Sequence, residues 1–271
     1  MTKKEMKNAT TAKAEEIEEV EEVLEPIDEE ETKVAPKLNP DWDPKTDLGK
    51  KVQIREITNM EEVLDNGYAI LEPEIVDLLI PDLESELLLI GQAKGKFGGG
   101  QRRVFRQTQK KTREGNKPKF TTMAVVGNKN GYVGIGFGKS KETVPAREKA
   151  IKNAKLNLIK IRRGSGTWAG HSEEPNSIPF SVEGKCGSVE IKLIPAPKGT
   201  GLVVEKECQK ILQMAGIKDV WSKTQGQTKN KINLIRACEE ALKQLMQIKI
   251  QEKDIKNLTM HEGKIQQHAQ E

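Results

Sequence analysis

Polar and apolar positions change rhythm several times along the chain, and each change marks an element. Over residues 101–111, Arg103, Phe105 and Gln107 alternate with Arg102, Val104 and Arg106, which predicts a strand that is half polar and basic. Residues 112–118 are turn-rich and charged and read as a loop, after which residues 120–126 resume a β-branched strand. Asn128-Lys129-Asn130-Gly131 predicts a tight hairpin, because Asn-Gly accepts the positive φ values such turns need. The return strand, residues 132–137, carries Gly134 and Gly136, with Gly138 beyond, so one face is bare. A bare face admits another backbone at close range, either a packed helix or a phosphate chain. Ser140 is placed to cap a helix whose apolar positions are Val144, Ile151, Ala154, Leu158 and Ile161. The predicted order is three antiparallel strands followed by a helix.

A second pattern follows. Residues 164–176 read as a linker and residues 178–182 as the start of a strand, which Gly184-Lys185 turns into residues 188–194, where Val189, Ile191 and Leu193 alternate with Glu190 and Lys192. Residues 195–201, with two prolines and two glycines, form a loop entering a helix over about 202–214 that Gly216 stops. Val220 and Trp221 suit a short strand. Residues 230–247 give a last helix with Ile232, Ile235, Cys238 or Glu239, Leu242, and Leu245 or Met246 near one stripe. This ββαβα pattern describes a small open α/β layer. Ahead of both patterns, residues 36–91 pass from Pro36, Pro40 and Pro44 into a helix near 60–64 with Thr58 as N-cap. A helix over 73–79 with Pro at its start and an apolar strip at 87–90 complete an extension that packs on a neighbour.

Composition narrows the class. With 35% hydrophobic, 4% aromatic and 32% charged residues among 271, the chain is too polar for one large close-packed enzyme core, and one or two small domains with tails fit better. No apolar run approaches the roughly 20 residues that cross a bilayer, and no hydrophobic stretch follows the Lys-bearing start, so a cytosolic protein is expected, without membrane partners. Cys186, Cys208 and Cys238 match neither a disulfide framework nor a zinc pattern and read as small buried side chains.

The net charge of +4 dissolves into blocks. Residues 1–35 hold 5 basic and 12 acidic residues and residues 36–91 hold 5 and 13, whereas residues 92–163 hold 20 and 3, and residues 164–271 hold 15 and 13. The third block is net +17, the electrostatic footprint of a surface that neutralises phosphates. A merely solvated lysine face would carry compensating acids. The acidic first block reads as disordered. Gly138-Lys139-Ser140 ends like a Walker A loop, but Val133 stands where that motif needs glycine, and Gly134 and Gly136 lack the third glycine of a dinucleotide fingerprint at 139. What survives is simpler: Lys139, Lys141 and helix-terminal N–H groups suit a nucleic-acid phosphate.

Residues 120–161, with the core Ala124-Val125-Val126-Gly127-Asn128-Lys129-Asn130-Gly131-Tyr132-Val133-Gly134-Ile135-Gly136-Phe137-Gly138-Lys139-Ser140-Lys141-Glu142, resemble the N-terminal domain of the fifth protein of the small ribosomal subunit. Gly184-Lys185-Cys186-Gly187-Ser188-Val189 and Leu193-Ile194-Pro195-Ala196-Pro197-Lys198-Gly199-Thr200-Gly201-Leu202 resemble its C-terminal domain in the archaeal and eukaryotic branch. The resemblance covers roughly residues 90–248. It implies an α+β to α/β fold: a double-stranded-RNA-binding-like domain (92–163), a linker (164–176) and a two-layer α/β domain (177–248). An acidic tail (1–35), a helical extension (36–91) and a C-terminal tail (249–271) flank them.

The resemblance also implies a non-enzymatic constituent of the small subunit, without catalytic residues, metal or cofactor, that contributes to assembly and translational accuracy. Ribosomal RNA contact falls to Lys96, Arg102, Arg103 and Arg106, to Lys110, Lys111, Arg113, Lys117 and Lys119 at the loop, and to Lys139, Lys141 and Arg147. Here the loop departs from bacterial members by carrying Glu114. Lys198, Gly199, Thr200, Gly201 and Gln209 are expected at a contact with the fourth small-subunit protein. The eighth protein lies near the C-terminal domain, and the third and fourth join the family along the channel by which messenger RNA enters. Two rival readings are a free-standing double-stranded-RNA-binding regulator and a small-molecule kinase using Lys198-Gly199-Thr200-Gly201 as a phosphate loop. The kinase lacks acids at a metal-binding spacing, since Glu205, Glu207 and Asp219 are the nearest.

Overall fold

The computed structural model describes residues 42–93, 100–165 and 174–264, so the acidic segment 1–35, Lys96, most of the expected linker and the end of the expected C-terminal tail lie outside the described residues. The chain enters on short capped helices. Thr46 accepts a hydrogen bond from the Gly49 N–H at 3.1 Å and opens α1 (Asp47–Gln53). Helix α2 (Met60–Asp65) starts one residue later than Thr58 would place it, with Asn59 at the N-cap, and α3 (Pro73–Leu79) begins on its proline as expected. Met60, Val63, Ile70, Val76 and Ile80 bury against Tyr132 and Leu158, so the neighbour on which the extension packs is the first sheet of the same chain.

That sheet has five strands in the order β1 (Glu84–Leu88), β3 (Gly115–Gly127), β4 (Tyr132–Ser140), β5 (Leu158–Lys160), with β2 (Arg106–Thr112) also on β3. Strand β1 starts three residues ahead of the apolar strip expected at 87–90 and takes in its first two residues, Leu87 and Leu88. Two further expectations change. The segment 112–118 is not a loop: β2 and β3 stay paired to Thr112↔Gly115, leaving only Arg113 and Glu114 between them. Pro118 fits because β4 pairs with β3 only from Phe120 onward, so its missing N–H costs no ladder bond on the open side. Residues 101–105 are not strand but fold back on residues 91–93, with the Gly91 N–H donating to the Arg103 carbonyl at 2.8 Å. In the 128–131 turn, Lys129 (φ 56°) and Gly131 (φ 94°) take the left-handed backbone. The Asn128 side chain accepts from the N–H groups of Asn130 (2.8 Å) and Tyr132 (3.1 Å).

The bare glycine face meets a helix. Helix α4 (Thr143–Leu156) buries Ala146, Ala150 and Ala154, and a Cβ built at Gly134, Gly136 or Gly138 would fall well under 3.0 Å from its backbone. Expectation for this helix was wrong in three places. Glu142 and not Ser140 is the N-cap, Val144 is 63% exposed, and Leu158 and Ile161 lie beyond the helix, with Leu158 in β5. The alanine stripe is the burying one because glycine opposite leaves no room for anything larger.

The second layer is a four-stranded sheet ordered β7 (Val182–Cys186), β8 (Val189–Pro195), β10 (Val220–Gln225), β9 (Leu202–Val203), covered by α5 (Lys206–Met214) and α6 (Lys231–Gln247). The turn sits at Gly187 (φ 64°), not at Gly184-Lys185, and Gly184 lies mid-strand beneath the Ala237–Ala241 backbone of α6. Residues 202–203 are a strand parallel to β10, so the helix expected from about 202 begins only at Lys206. The α6 stripe buries Ile235, Cys238, Leu242 and Leu245 and adds Leu234, Ala237 and Ala241. All three cysteines are free, with Cys208 and Cys238 buried and Cys186 half-buried.

The layers share one core. Leu88, Met123, Val125, Val133 and Ile135 of the first sheet cluster with residues of α5, α6 and β8, so the first sheet has α4 on one face and the second layer on the other. The segment 249–264, expected as tail, returns here: α7 (Glu252–Asn257) leads to β11 (His261–Glu262), which pairs with β6 (Arg162–Arg163). Buried Arg162 anchors this return. Its guanidinium donates to the Leu245 (2.8 Å) and Ile248 (3.0 Å) carbonyls at the end of α6 and to Glu262.

Glu207 on α5 is 4% exposed and accepts the Leu89 N–H at 2.7 Å. Burial pushes its carboxyl above 4.5, outweighing that bond and Lys210. The folded chain therefore holds this proton to higher pH than the unfolded chain, and the Glu207 contribution to stability falls as pH rises from 4.5 through the raised value. Glu207→Gln is expected to remove that fall. Urea midpoints for both proteins from pH 4 to pH 7 should diverge steadily in favour of the variant, and parallel curves would show that Glu207 ionises without cost.

Candidate nucleic-acid interface

Because β4 joins only at Phe120, the β2–β3 hairpin projects past the sheet as a free arm. Arg106, Gln107, Thr108, Gln109, Lys110 and Lys111 on one strand and Gly115 to Lys119 on the other are all exposed. Side chains alternate across a strand, and the register sorts them. Lys110 lies opposite Lys117, Thr108 opposite Lys119, Arg106 opposite Thr121, and Thr121 opposite Lys139. Arg106, Lys110, Lys117, Lys119 and Lys139 therefore share one face, and Lys111 points to the other. Directly opposed like charges such as Lys110 and Lys117 weaken a hairpin. Glu114 offsets part of this with a 3.0 Å pair to Lys117. Among the described residues, Arg106, Lys110, Lys119 and Lys139 make no ion pair, so their charge is available to an external anion.

The other predicted residues divide. Lys139 and Lys141 border a shallow pocket of about 590 Å³ with Lys119 and Pro145, but Glu142 at the N-cap of α4 places a negative charge where a phosphate was expected. Arg113 is exposed at the arm's tip and Arg147 on the outer side of α4. Arg103 is exposed but stands at the fold-back, away from the arm. Arg102 is half-buried, donating to the Gly91 (3.3 Å) and Lys229 (3.4 Å) carbonyls, which makes it a clasp between the layers. Two basic residues were missed. Arg236 stacks 5.7 Å from the centre of the Phe137 ring, and Lys229 lines a groove of about 310 Å³ with Arg102, Arg106 and Lys231. Both belong to the near-neutral last block, whose average charge hid them.

In the second layer, Lys198 pairs with Glu174 at 3.3 Å, and Thr200 closes a turn on the Pro197 carbonyl (2.8 Å). The Gly201 N–H donates to the Asp219 carboxylate at 2.7 Å, and Gln209 donates to the Leu202 carbonyl at 2.7 Å. A carboxylate thus occupies the amide a phosphate would need, and β9 separates the loop from the helix. The kinase reading fails on both counts.

A basic arm on an α-backed sheet, fused through one core to a second α/β layer, defines a two-layer α/β protein with an exposed cationic ribbon. Residues 104–162 match the N-terminal domain, and residues 184–256 the C-terminal domain, of ribosomal protein S5. The chain is 48% identical over 225 residues to small ribosomal subunit protein uS5 of Nanoarchaeum equitans, covering 83% of this chain and 96% of that relative. It is 43% identical over 218 residues to the uS5 protein of Methanothermobacter thermautotrophicus, covering 80% and 94%. With the Methanocaldococcus jannaschii uS5 it shares 43% over 225 residues, covering 83% and 97%. The chain belongs to the uS5 family of small-subunit ribosomal proteins, which are not enzymes.

Proposed function

We propose that this chain grips small-subunit ribosomal RNA through the face of the arm that carries Arg106, Lys110, Lys117 and Lys119, continued by Lys139 on the sheet. The observation that carries this reading is the register, which gathers these cations on one exposed face, where Glu114 pairs with Lys117. RNA helices present phosphates and 2′-hydroxyls more than readable base edges, so a rigid basic ribbon recognises their shape and needs no base code. The few aromatics argue the same way, since a single-strand binder would offer stacking platforms.

The loop at Lys198, Gly199, Thr200 and Gly201 meets a neighbouring protein, the fourth of the subunit, with Gln209 holding the adjoining strand in place. The eighth protein approaches the second layer, and the third and fourth join the chain beside incoming messenger RNA, where they bear on translational accuracy in the cytoplasm. Sedimentation of tagged protein from cell extract tests the assignment. Co-migration with small subunits that persists through a high-salt wash is expected. A chain found only in free fractions would favour the free-standing double-stranded-RNA regulator instead.

A further inference from the structure

The second sheet has a covered face and an open one. Val189, Ile191, Leu193 and Val220 are buried in the core with residues of α5 and α6. Side chains alternate across a strand, so Ile194 and Trp221 point the other way. Register sets Ile194 of β8 directly opposite Trp221 of β10, and Trp221 opposite Val203 of β9, which makes a row of three apolar side chains across the open face. Val203 is 54% exposed, Trp221 is 41% exposed and Ile194 is half-buried. Single apolar residues scattered over a surface are ordinary, but a contiguous row built on a tryptophan has the composition of a protein-binding patch.

The next row is charged. Two residues along β10, Lys223 stands on the same face, directly opposite Lys192. Glu183 holds Lys192 at 2.6 Å and Glu190 holds Lys185 at 2.5 Å, whereas Lys223 makes no ion pair among the described residues. Like charges directly opposed are destabilising, so an incoming carboxylate at Lys223 relieves a cost that the sheet bears alone. A groove of about 430 Å³, whose lining includes Glu183, Glu190, Lys192, Lys223 and Gln225, continues the surface.

We propose that this open face docks a segment of another protein, in which an apolar side chain seats on Val203, Trp221 and Ile194 and a carboxylate pairs with Lys223. Trp221 and Lys223 are two residues apart on one face, about 7 Å along the strand, and the segment carries its anchor and its carboxylate at that spacing. Glu183 and Glu190 make the face unsuited to an RNA backbone, since they stand where phosphates would run. The inference is independent of the RNA reading of the arm.

The test places a benzophenone side chain at Gln225 of the full-length chain, an exposed position on the open face but outside the apolar row. Irradiation of cell extract is expected to join it to a peptide of another protein that carries an apolar and an acidic residue close together. Val203→Glu and Lys223→Glu, both at exposed positions, should each lower the yield of that adduct about tenfold, by setting an acid against the incoming carboxylate. With the captured peptide made synthetically, exchange of its carboxylate for lysine should restore binding to the Lys223→Glu chain. No adduct, an unchanged yield in either variant, or failure of the charge exchange overturns the proposal. An adduct with RNA or with a second copy of this chain also overturns it, making the face a platform for bases or a self-association surface.

Discussion

Replacing Arg106, Lys110, Lys117 and Lys119 together by alanine is expected to weaken binding to a small-subunit RNA fragment by roughly a thousandfold at about 0.1 M salt. The same change should lower the slope of log affinity against log salt by about three. Each phosphate neutralised releases about 0.9 of a counterion, and at that salt each release is worth nearly a factor of ten. Four cations would give a slope change near 3.6, but Lys117 already shares its charge with Glu114 at 3.0 Å and counts for less. All four side chains are exposed, so the fold should survive and far-ultraviolet dichroism should not change. Fluorescence anisotropy across a salt series reads the outcome. An unchanged slope would show that this face of the arm turns away from RNA. Arg102 is left out of the set because its guanidinium holds the Gly91 and Lys229 carbonyls, and its removal would mix binding with a structural loss.

The largest stability effect is expected at Gly136. A Cβ there would meet the Ala150 carbonyl and the Ala154 amide well under 3.0 Å, and both belong to helix backbone that cannot rotate away as a side chain could. Gly136→Ala should therefore cost about 3 kcal/mol or more, at the upper end of overpacking, because α4 must lift from the sheet along its whole alanine stripe. Val144→Ala on the same helix is the control. Val144 is 63% exposed, and its loss should stay within about 0.5 kcal/mol. Guanidinium denaturation of the two variants and the parent measures both. A cost below about 1 kcal/mol at Gly136 would mean that the helix yields easily, and that the glycine stripe is not what sets its distance.

The strands around Asn128-Lys129-Asn130-Gly131, the helix opening on Pro73, the last helix and the two-layer α/β class were legible because each rests on local signals of period, turn chemistry or capping. The misreadings share a cause. Thr112 to Pro118 looks like a loop by composition, since Gly, Asn and Pro punctuate turns, yet a two-stranded arm with one open edge tolerates them as strand. Gly184 looks like a turn, yet it is the residue that lets α6 settle on β7. The alanines of α4 carry too little hydrophobicity to outweigh Val144 and Ile151 in a pattern, and they bury only because glycines face them.

By itself the sequence determined that the chain is modular, that its positive charge is concentrated in residues 92–163, and that two motifs belong to the uS5 family. Charge density and local periodicity are written in consecutive residues. Only the tertiary structure decided which cations act together. Strand register placed Lys110, Lys117, Lys119 and Lys139 on one face, and domain packing turned Arg102 into a clasp. The return of residues 261–262 to β6 buried Arg162 and Arg163 beneath a segment about 100 residues further along. Pairings between residues so far apart depend on the burial of a shared core, and no stretch of neighbouring residues records them.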